Sequence, residues 1–251
     1  MQIKIYENDL RARACAEILS SSDRLLRFSR VLLLPIPSTR DGIHIAGCAL
    51  ELGCELASVG EGDLVVGYAL SAEAELLARS RGAEVFDAAS DEVFLSENAE
   101  LTSLAALGIL LGASVAPSDM RVGIVGLGRI GERLLYKLAF LGARPRVYTT
   151  RPELRLGLAE DGIESELCPY SGEVSDLDFL VNTAPARLFD FASIAEGVRV
   201  LELASGNNFK STVALERYPS LPARVYPVSA GRVWAESILR FAMSGGYPTG
   251  R

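Results

Sequence analysis

The chain has 251 residues, 49% apolar and 23% charged, with a formal net charge of −7. That length suits one large domain or two small ones, and that apolar content buries a core and excludes a disordered chain. The acidic balance, without a long basic run, excludes broad binding to nucleic acid or to an anionic membrane surface.

The start, MQIKIYENDLRARA, carries charges where a signal peptide has an apolar stretch. No apolar run approaches the roughly 18 residues of a membrane span. A cytoplasmic protein is the expectation. QIKIYE reads as a strand and NDLRARACAEILSS as a helix capped by Asn8. RVLLLPIP is a continuous apolar run, the pattern of a strand buried on both faces. It ends in the polar loop STRDG, Ser38 to Gly42. GIHIAG, a helix around CALELGCEL, the strand DLVVGYAL, the capped helix SAEAELLARSRG and the strand AEVFDAAS follow. Strands alternating with helices imply a parallel sheet.

DEVFLSENAELTSLAALGILLGAS then predicts a long helix with Leu101, Leu104, Gly108 and Leu111 on one stripe. It stops at VAPSD, and a second alternation of strands and helices starts at Met120. Its strands are expected at 120–126, 145–150, 164–169, 177–185, 198–205 and 223–229. Its helices are expected at 129–142, 152–160, 208–217 and 232–245. The fold class is therefore α/β in two lobes: a smaller N-terminal domain over 1–95, a connecting helix and linker over 96–119, and a doubly wound parallel sheet over 120–251. The last helix has the option of packing back on the first lobe.

The four cysteines, Cys15, Cys48, Cys54 and Cys168, form no CxxC pair, and His44 is the only histidine. No metal is expected, only buried or half-buried thiols in a reducing compartment. GLGRIG is different. Gly126, Gly128 and Gly131 make G-x-G-x-x-G, with Leu127, Arg129 and Ile130 between them, after the apolar strand RVGIV and at the start of an amphipathic helix. In that setting the glycines permit a tight turn, an approach of pyrophosphate to backbone, and close packing of helix on strand. Amides at the helix start favour the phosphates. The next strand would end in Asp or Glu for NAD; here it ends in Thr149, Thr150 and Arg151. Two hydroxyls and a guanidinium suit a 2′-phosphate, so NADP is expected before NAD. The plainer reading of Arg151 is a solvated residue paired with Glu153. VNTAP supplies Asn182, Thr183, Ala184 and Pro185, and ELASG supplies Ala204 and Ser205; both lie at strand ends suited to line the nicotinamide side.

GLGRIG with VNTAP and LELAS resembles the cofactor domain of D-2-hydroxyacid dehydrogenases. The chain resembles more closely, along nearly its whole length, the dipicolinate synthase A-subunit family. LPIPSTRDG matches its LPxS strand end, LSENAELTSLAAL its connecting helix, ELAS its DLAS, and Phe209-Lys210 a Phe-Lys echo. The resemblance implies NAD(P)-dependent oxidation of a dihydrodipicolinate-type precursor during spore formation, with a flavoprotein-like second subunit. Some residues depart from the family: YENDLRA replaces a glycine turn, the first lobe is shorter, Ser103 stands where the family has Glu, and YPVSAGRVWAES replaces a Pro-Gly segment.

A plain 2-hydroxyacid dehydrogenase needs an acid–base group, usually His with a carboxylate. His44 is the sole candidate, with a partly buried strand or turn residue as the expectation. Aromatising a dihydropyridine mainly requires a dicarboxylate to be oriented. Candidates are Ser38, Thr39, Arg40, Ser229 and Arg232, with Asp41, Glu97 and Asn98 as proton acceptors or orienting groups. A catalytically silent nucleotide-binding scaffold is the reading from a different class. The apolar helices leave a homo-oligomer open.

Overall fold

The computed structural model describes residues 1–6, 9–189, 192–204, 209 and 213–245. The chain divides into two compact units, one of Met1–Leu101 with Pro222–Arg251, the other of Thr102–Leu221.

In the first unit, strands β1 (Gln2–Ile5), β2 (Arg30–Leu33), β3 (Asp63–Gly67) and β4 (Glu84–Asp87) pair in chain order as a parallel sheet. Helices α1 (Leu10–Ser20), α2 (Leu52–Ala57) and α3 (Ala72–Ser80) connect them. Side chains of β2 alternate between two cores. Val31 and Leu33 join Leu19 of α1, while Leu32 and Leu34 join Leu56 of α2 and Ala78 of α3. A sheet covered on both faces needs apolar residues at every position, which explains the unbroken run. Asp9 caps α1, accepting from the Arg11 amide at 2.9 Å; Asn8 lies outside the described residues. GIHIAG forms no regular element. Gly42 and Gly47, at φ +80° and +81°, bend it into a loop held by the antiparallel bridges Thr39↔Ile45 and His44↔Glu51. The helix expected around CALELGCEL shortens to α2. All the cysteines are free thiols, and Cys54 is exposed rather than buried. It lies on the outer side of α2, its thiol bonded to Glu51 at 3.4 Å.

Helix α4 (Glu92–Leu111) crosses the division between the units in sequence. By length and composition alone it is long and apolar enough to span a membrane, and its length is that of the long helix the sequence predicts. Its apolar residues serve the cores instead: Phe94 in the first unit, and Ala105, Ala106 and Leu110 in the second. The leucine stripe points elsewhere, with Leu104 and Leu111 exposed. Small residues, Thr102, Ser103, Ala105 and Ala106, take the buried side because they allow close approach. Asp91 begins α4. Its Oδ1 accepts from the Val93 and Phe94 amides at 2.9 and 3.2 Å, and its Oδ2 from Ser237 Oγ and Arg240 Nη2, the latter at 3.0 Å. Burial alone would raise this carboxyl's pKa; the bonds from Ser237 and Arg240 outweigh it and hold the group below its usual range.

The second unit contains β5 (Arg121–Val125), α5 (Arg129–Phe140), β6 (Arg144–Thr149), α6 (Leu154–Glu160), β7 (Glu164–Leu167), β8 (Glu173–Val174), β9 (Phe179–Asn182), β10 (Ser193–Ile194), β11 (Arg199–Glu202) and β12 (Leu215–Arg217). Six strands form a parallel sheet in the order β12-β11-β9-β5-β6-β7, while β8 and β10 pair separately. This is the doubly wound order, with its reversal between β5 and β9. Val122, Ile124, Val181 and Leu201 pack with Leu134 and Leu138 of α5 on one face; Val125, Tyr148, Leu180 and Val200 pack on the other.

Two expected elements are corrected. The sixth strand is β12, inside the segment read as a helix, where it pairs Val200↔Leu215 and Glu202↔Arg217. The segment read as a strand, ARVYPVS, is instead helix α7 (Leu221–Val225) and the start of α8 (Pro227–Met243). Proline suits a first helical turn, where its missing N–H leaves no bond unmade. Helix α8 belongs to the first unit, where Trp234, Ile238 and Phe241 fill the core with Cys15 and Leu19.

Asp91→Ala removes a helix cap and the charged partner of Arg240, and should cost about 2–3 kcal/mol in urea unfolding at neutral pH. The wild-type contribution is complete above the ordinary carboxylate range and is lost as pH falls through the lowered folded value. The gap between variant and wild type should therefore narrow below about pH 4.

Candidate cofactor site

Strand β5 ends at Val125 and α5 starts at Arg129, so the chain must turn over Gly126, Leu127 and Gly128. Gly126 sits at φ +87°, and a Cβ there would lie 2.8 Å from the Ala184 methyl. A Cβ on Gly131 would lie 2.1 Å from the Gly126 carbonyl oxygen and 3.0 Å from Thr183 Oγ1. Only hydrogen fits at that point, and its smallness lets the helix start touch the turn. Gly128 is the opposite case: nothing lies within 4 Å of the position its Cβ would take. This glycine fills no packing role: the space at its Cβ position is open, as the approach of a diphosphate to the backbone requires. It caps α5 without a side-chain bond. The first amides of a helix have no acceptor within it, and the dipole there favours anions. Leu127 and Ile130 are half-buried, and Arg129 is exposed. The turn stands beside the strand-order reversal, where doubly wound sheets open a crevice. These residues fit a dinucleotide.

At the end of β6, Thr149 is buried, and its hydroxyl accepts from the Arg151 amide at 3.1 Å. That bond turns it inward, leaving Thr150 and Arg151 exposed. The Arg151 guanidinium donates to the Leu127 carbonyl. A positive charge thus stands over the glycine turn where an NAD-type tip carries an acid.

Asn182 and Glu202 sit opposite each other at the ends of β9 and β11, both buried. Asn182 Nδ2 donates to Glu202 Oε1 at 2.8 Å and to the Ala184 carbonyl at 3.1 Å, while its Oδ1 accepts from the Ala184 amide at 3.2 Å. Glu202 Oε1 also accepts from the Ala204 amide at 3.0 Å. Thr183 donates through its amide to the Val125 carbonyl at 2.9 Å and through its hydroxyl to the Gly126 carbonyl at 3.0 Å. Asn182 therefore braces the wall of the crevice. Ala184 and Ala204 are half-buried and Pro185 is exposed. Ser205, Gly206 and Lys210 lie outside the described residues; Phe209 packs 5.8 Å from the Phe189 ring. Glu202 is the residue the sequence reading missed. Its signal was an acid closing the apolar strand VRVLE.

In the first unit, Ser38 is buried, and its hydroxyl accepts from the Tyr68 amide at 2.7 Å, tying the end of β2 to the end of β3. Thr39 Oγ1 donates to Asp41 Oδ1 at 3.2 Å and accepts from the Gly42 amide at 2.9 Å. The same Asp41 oxygen accepts from the Ile43 and His44 amides at 2.9 and 2.8 Å, and Asp41 Oδ2 lies 2.8 Å from His44 Nδ1. The ring bond first, then these amides, hold the Asp41 carboxyl well below its usual range. His44 is exposed, not partly buried, because the loop turns its ring outward beside Asp41. Arg40, Asp41, His44 and Cys48 line an open pocket of about 650 Å³. Ser229 is half-buried and Arg232 exposed on α8, and neither contributes to that lining. On α4, Glu97 and Asn98 are half-buried, and Glu97 Oε2 is buried without a hydrogen-bond partner.

No family model matches the chain, and no curated protein matches it by sequence. Solved structures match its fold. The dipicolinate synthase A-subunit from Bacillus halodurans is 18% identical over 96% of this chain and 97% of its own, with a TM-score of 0.73. The corresponding dipicolinate synthase chain from Bacillus subtilis is 17% identical over 97% and 96%, with a TM-score of 0.72. Apo D-lactate dehydrogenase from Escherichia coli is 11% identical over 99% of both chains, with a TM-score of 0.61. At these identities the likeness is one of fold, the two-domain α/β fold with parallel sheets that the sequence led us to expect.

The two glycine environments predict opposite defects. Gly131→Ala should lower stability by about 1–3 kcal/mol through overpacking. Gly128→Ala should keep the thermal midpoint close to wild type and weaken NADP binding about tenfold by calorimetry, a loss of about 1.4 kcal/mol.

Proposed function

We propose that this chain is an NAD(P)-dependent oxidoreductase, preferring NADP, that oxidises a dihydrodipicolinate-like cyclic dicarboxylate. The observation that carries the reading is the glycine turn at the start of α5, closed at Gly131 and open at Gly128, beside the strand-order reversal. The full-length likeness of fold to the dipicolinate synthase A-subunit supports the substrate class.

Gly126, Gly128, Gly131 and the first amides of α5 would hold the diphosphate, and Thr150 and Arg151 the 2′-phosphate. Residues 182–185 and Ala204 would border the nicotinamide side, held by the Asn182–Glu202 brace. A bound nicotinamide supplies the hydride acceptor. The chain's own task is to orient the ring and take up a proton. The exposed Arg40 guanidinium suits bidentate capture of a carboxylate. The flavoprotein-like second subunit that the resemblance implies belongs to the same proposal.

Reduction of NADP⁺ by the full chain in the presence of dihydrodipicolinate, followed by nicotinamide absorbance, tests the reaction. Tight NADP binding without turnover, with or without a flavoprotein-like partner, would assign the chain to the silent scaffolds. Arg151→Ala should weaken NADP binding about tenfold and leave NAD binding within about twofold. Equal losses would remove the preference for NADP.

A further inference from the structure

We propose that the starts of β5 and β6 form a second binding site in the second unit, for a small phosphate dianion held by the guanidinium groups of Arg121 and Arg144. The site is independent of the oxidoreductase reading, because the glycine turn follows the opposite end of β5.

Neighbouring strands run about 4.8 Å apart, so residues in register set their side chains next to each other. Along one face of β6 the neighbours differ. Arg146 stands opposite Glu164 of β7, and its guanidinium donates to Glu164 Oε2 at 2.8 Å. It also donates to both oxygens of Asp176, at 2.9 and 2.8 Å. Two residues earlier, on the same face, Arg144 stands opposite Arg121 of β5. Like charges in that position repel each other. Both residues are exposed, and among the described residues neither guanidinium has a hydrogen bond or an ion pair. The nearest acids are committed elsewhere. The Arg146 bond first, with Arg121 acting through space, holds the Asp176 carboxyl below its usual range. Asp178 accepts from the Arg121 backbone amide at 2.7 Å.

These groups line a pocket of about 340 Å³. Its three guanidinium groups face two carboxylates, a local positive excess in a chain whose formal charge is −7. Both carboxylates serve Arg146, so Arg121 and Arg144 are the pair that lacks a counter-ion. A single carboxylate brings one charge and two oxygens to two forks. A phosphate brings two charges and oxygens enough for both, and its binding would cancel the repulsion between the strands. Pro145 and Leu177 give the pocket an apolar side, where the organic part of a small phosphate monoester would rest. Free phosphate and such a monoester share the chemistry of the site.

Calorimetric titration of the full chain with inorganic phosphate and with glycerol 3-phosphate, against chloride at matched ionic strength, tests the proposal. Phosphate should bind and raise the thermal midpoint by about 2 °C or more near saturation, where chloride does not. Arg121→Gln and Arg144→Gln should each weaken phosphate binding about tenfold. Each should also keep or raise the midpoint in dilute chloride, because the repulsion is gone. Arg24→Gln, an equal change of charge at an exposed position of the first unit, should leave the phosphate affinity within about twofold. Tighter binding of glycerol 3-phosphate than of phosphate supports the site with a monoester as its ligand, and the reverse order supports it with the free ion. Absence of binding by both probes, or affinities unchanged in both glutamine variants, would overturn the site. So would a phosphate response that survives Arg144→Gln and disappears with saturating NADP, since that places the ion at the glycine turn.

Discussion

At Gly131 the first turn of α5 touches the carbonyl of Gly126, and the crevice of the second unit depends on that approach. No side chain with a Cβ fits there. The carbonyl also accepts from Thr183 Oγ1, while the Gly126 amide donates to Tyr148 at 2.8 Å. One short turn therefore joins the tips of β6, β5 and β9 to the start of a helix. Once these are joined, the open position at Gly128 faces away from the packing.

Three carboxylates show how burial divides their work. Asp91 and Glu202 are buried at element ends and surrounded by donors. A charge removed from water is tolerable only with such partners, and in return each fixes its neighbours in one arrangement. Asp91 joins the start of α4 to α8, and Glu202 joins the tips of β9 and β11. Asp41 is equally well bonded but remains in water. It therefore fixes no core; it only sets the direction of one imidazole. The first two stabilise a scaffold, and the third orders one exposed loop.

Much of this was legible in the residues. The spacing of Gly126, Gly128 and Gly131 after an apolar strand needs no tertiary information, because each glycine answers a local steric demand. The unbroken run of β2 likewise announces a strand covered twice. Other features depended on contacts distant in the chain. Asn182 looked like a ligand-facing tip because its partner, Glu202, stands on another strand. The pattern of α8 showed an apolar side but not which core would receive it. Pro227, read as part of a strand, is the residue that starts the helix. β12 is short and lies at a sheet edge, so alternation had little length in which to show. The pairing of Asp41 with His44 depends on the bend at Gly42, and periodicity carries no trace of it.

The first unit is discontinuous, and this bears on how the molecule is made. During synthesis α8 leaves the ribosome only after the whole of 102–221 has emerged. Until then Cys15, Leu19 and Phe28 lack the cover that Trp234, Ile238 and Phe241 provide. The second unit is contiguous and can complete itself first, against the common order in which the N-terminal domain leads. Closing so long an excursion adds only a logarithmic entropy cost. The vulnerability is one of timing: a nascent chain carries a bare apolar flank that invites chaperones or neighbouring polysome products until its final helix docks.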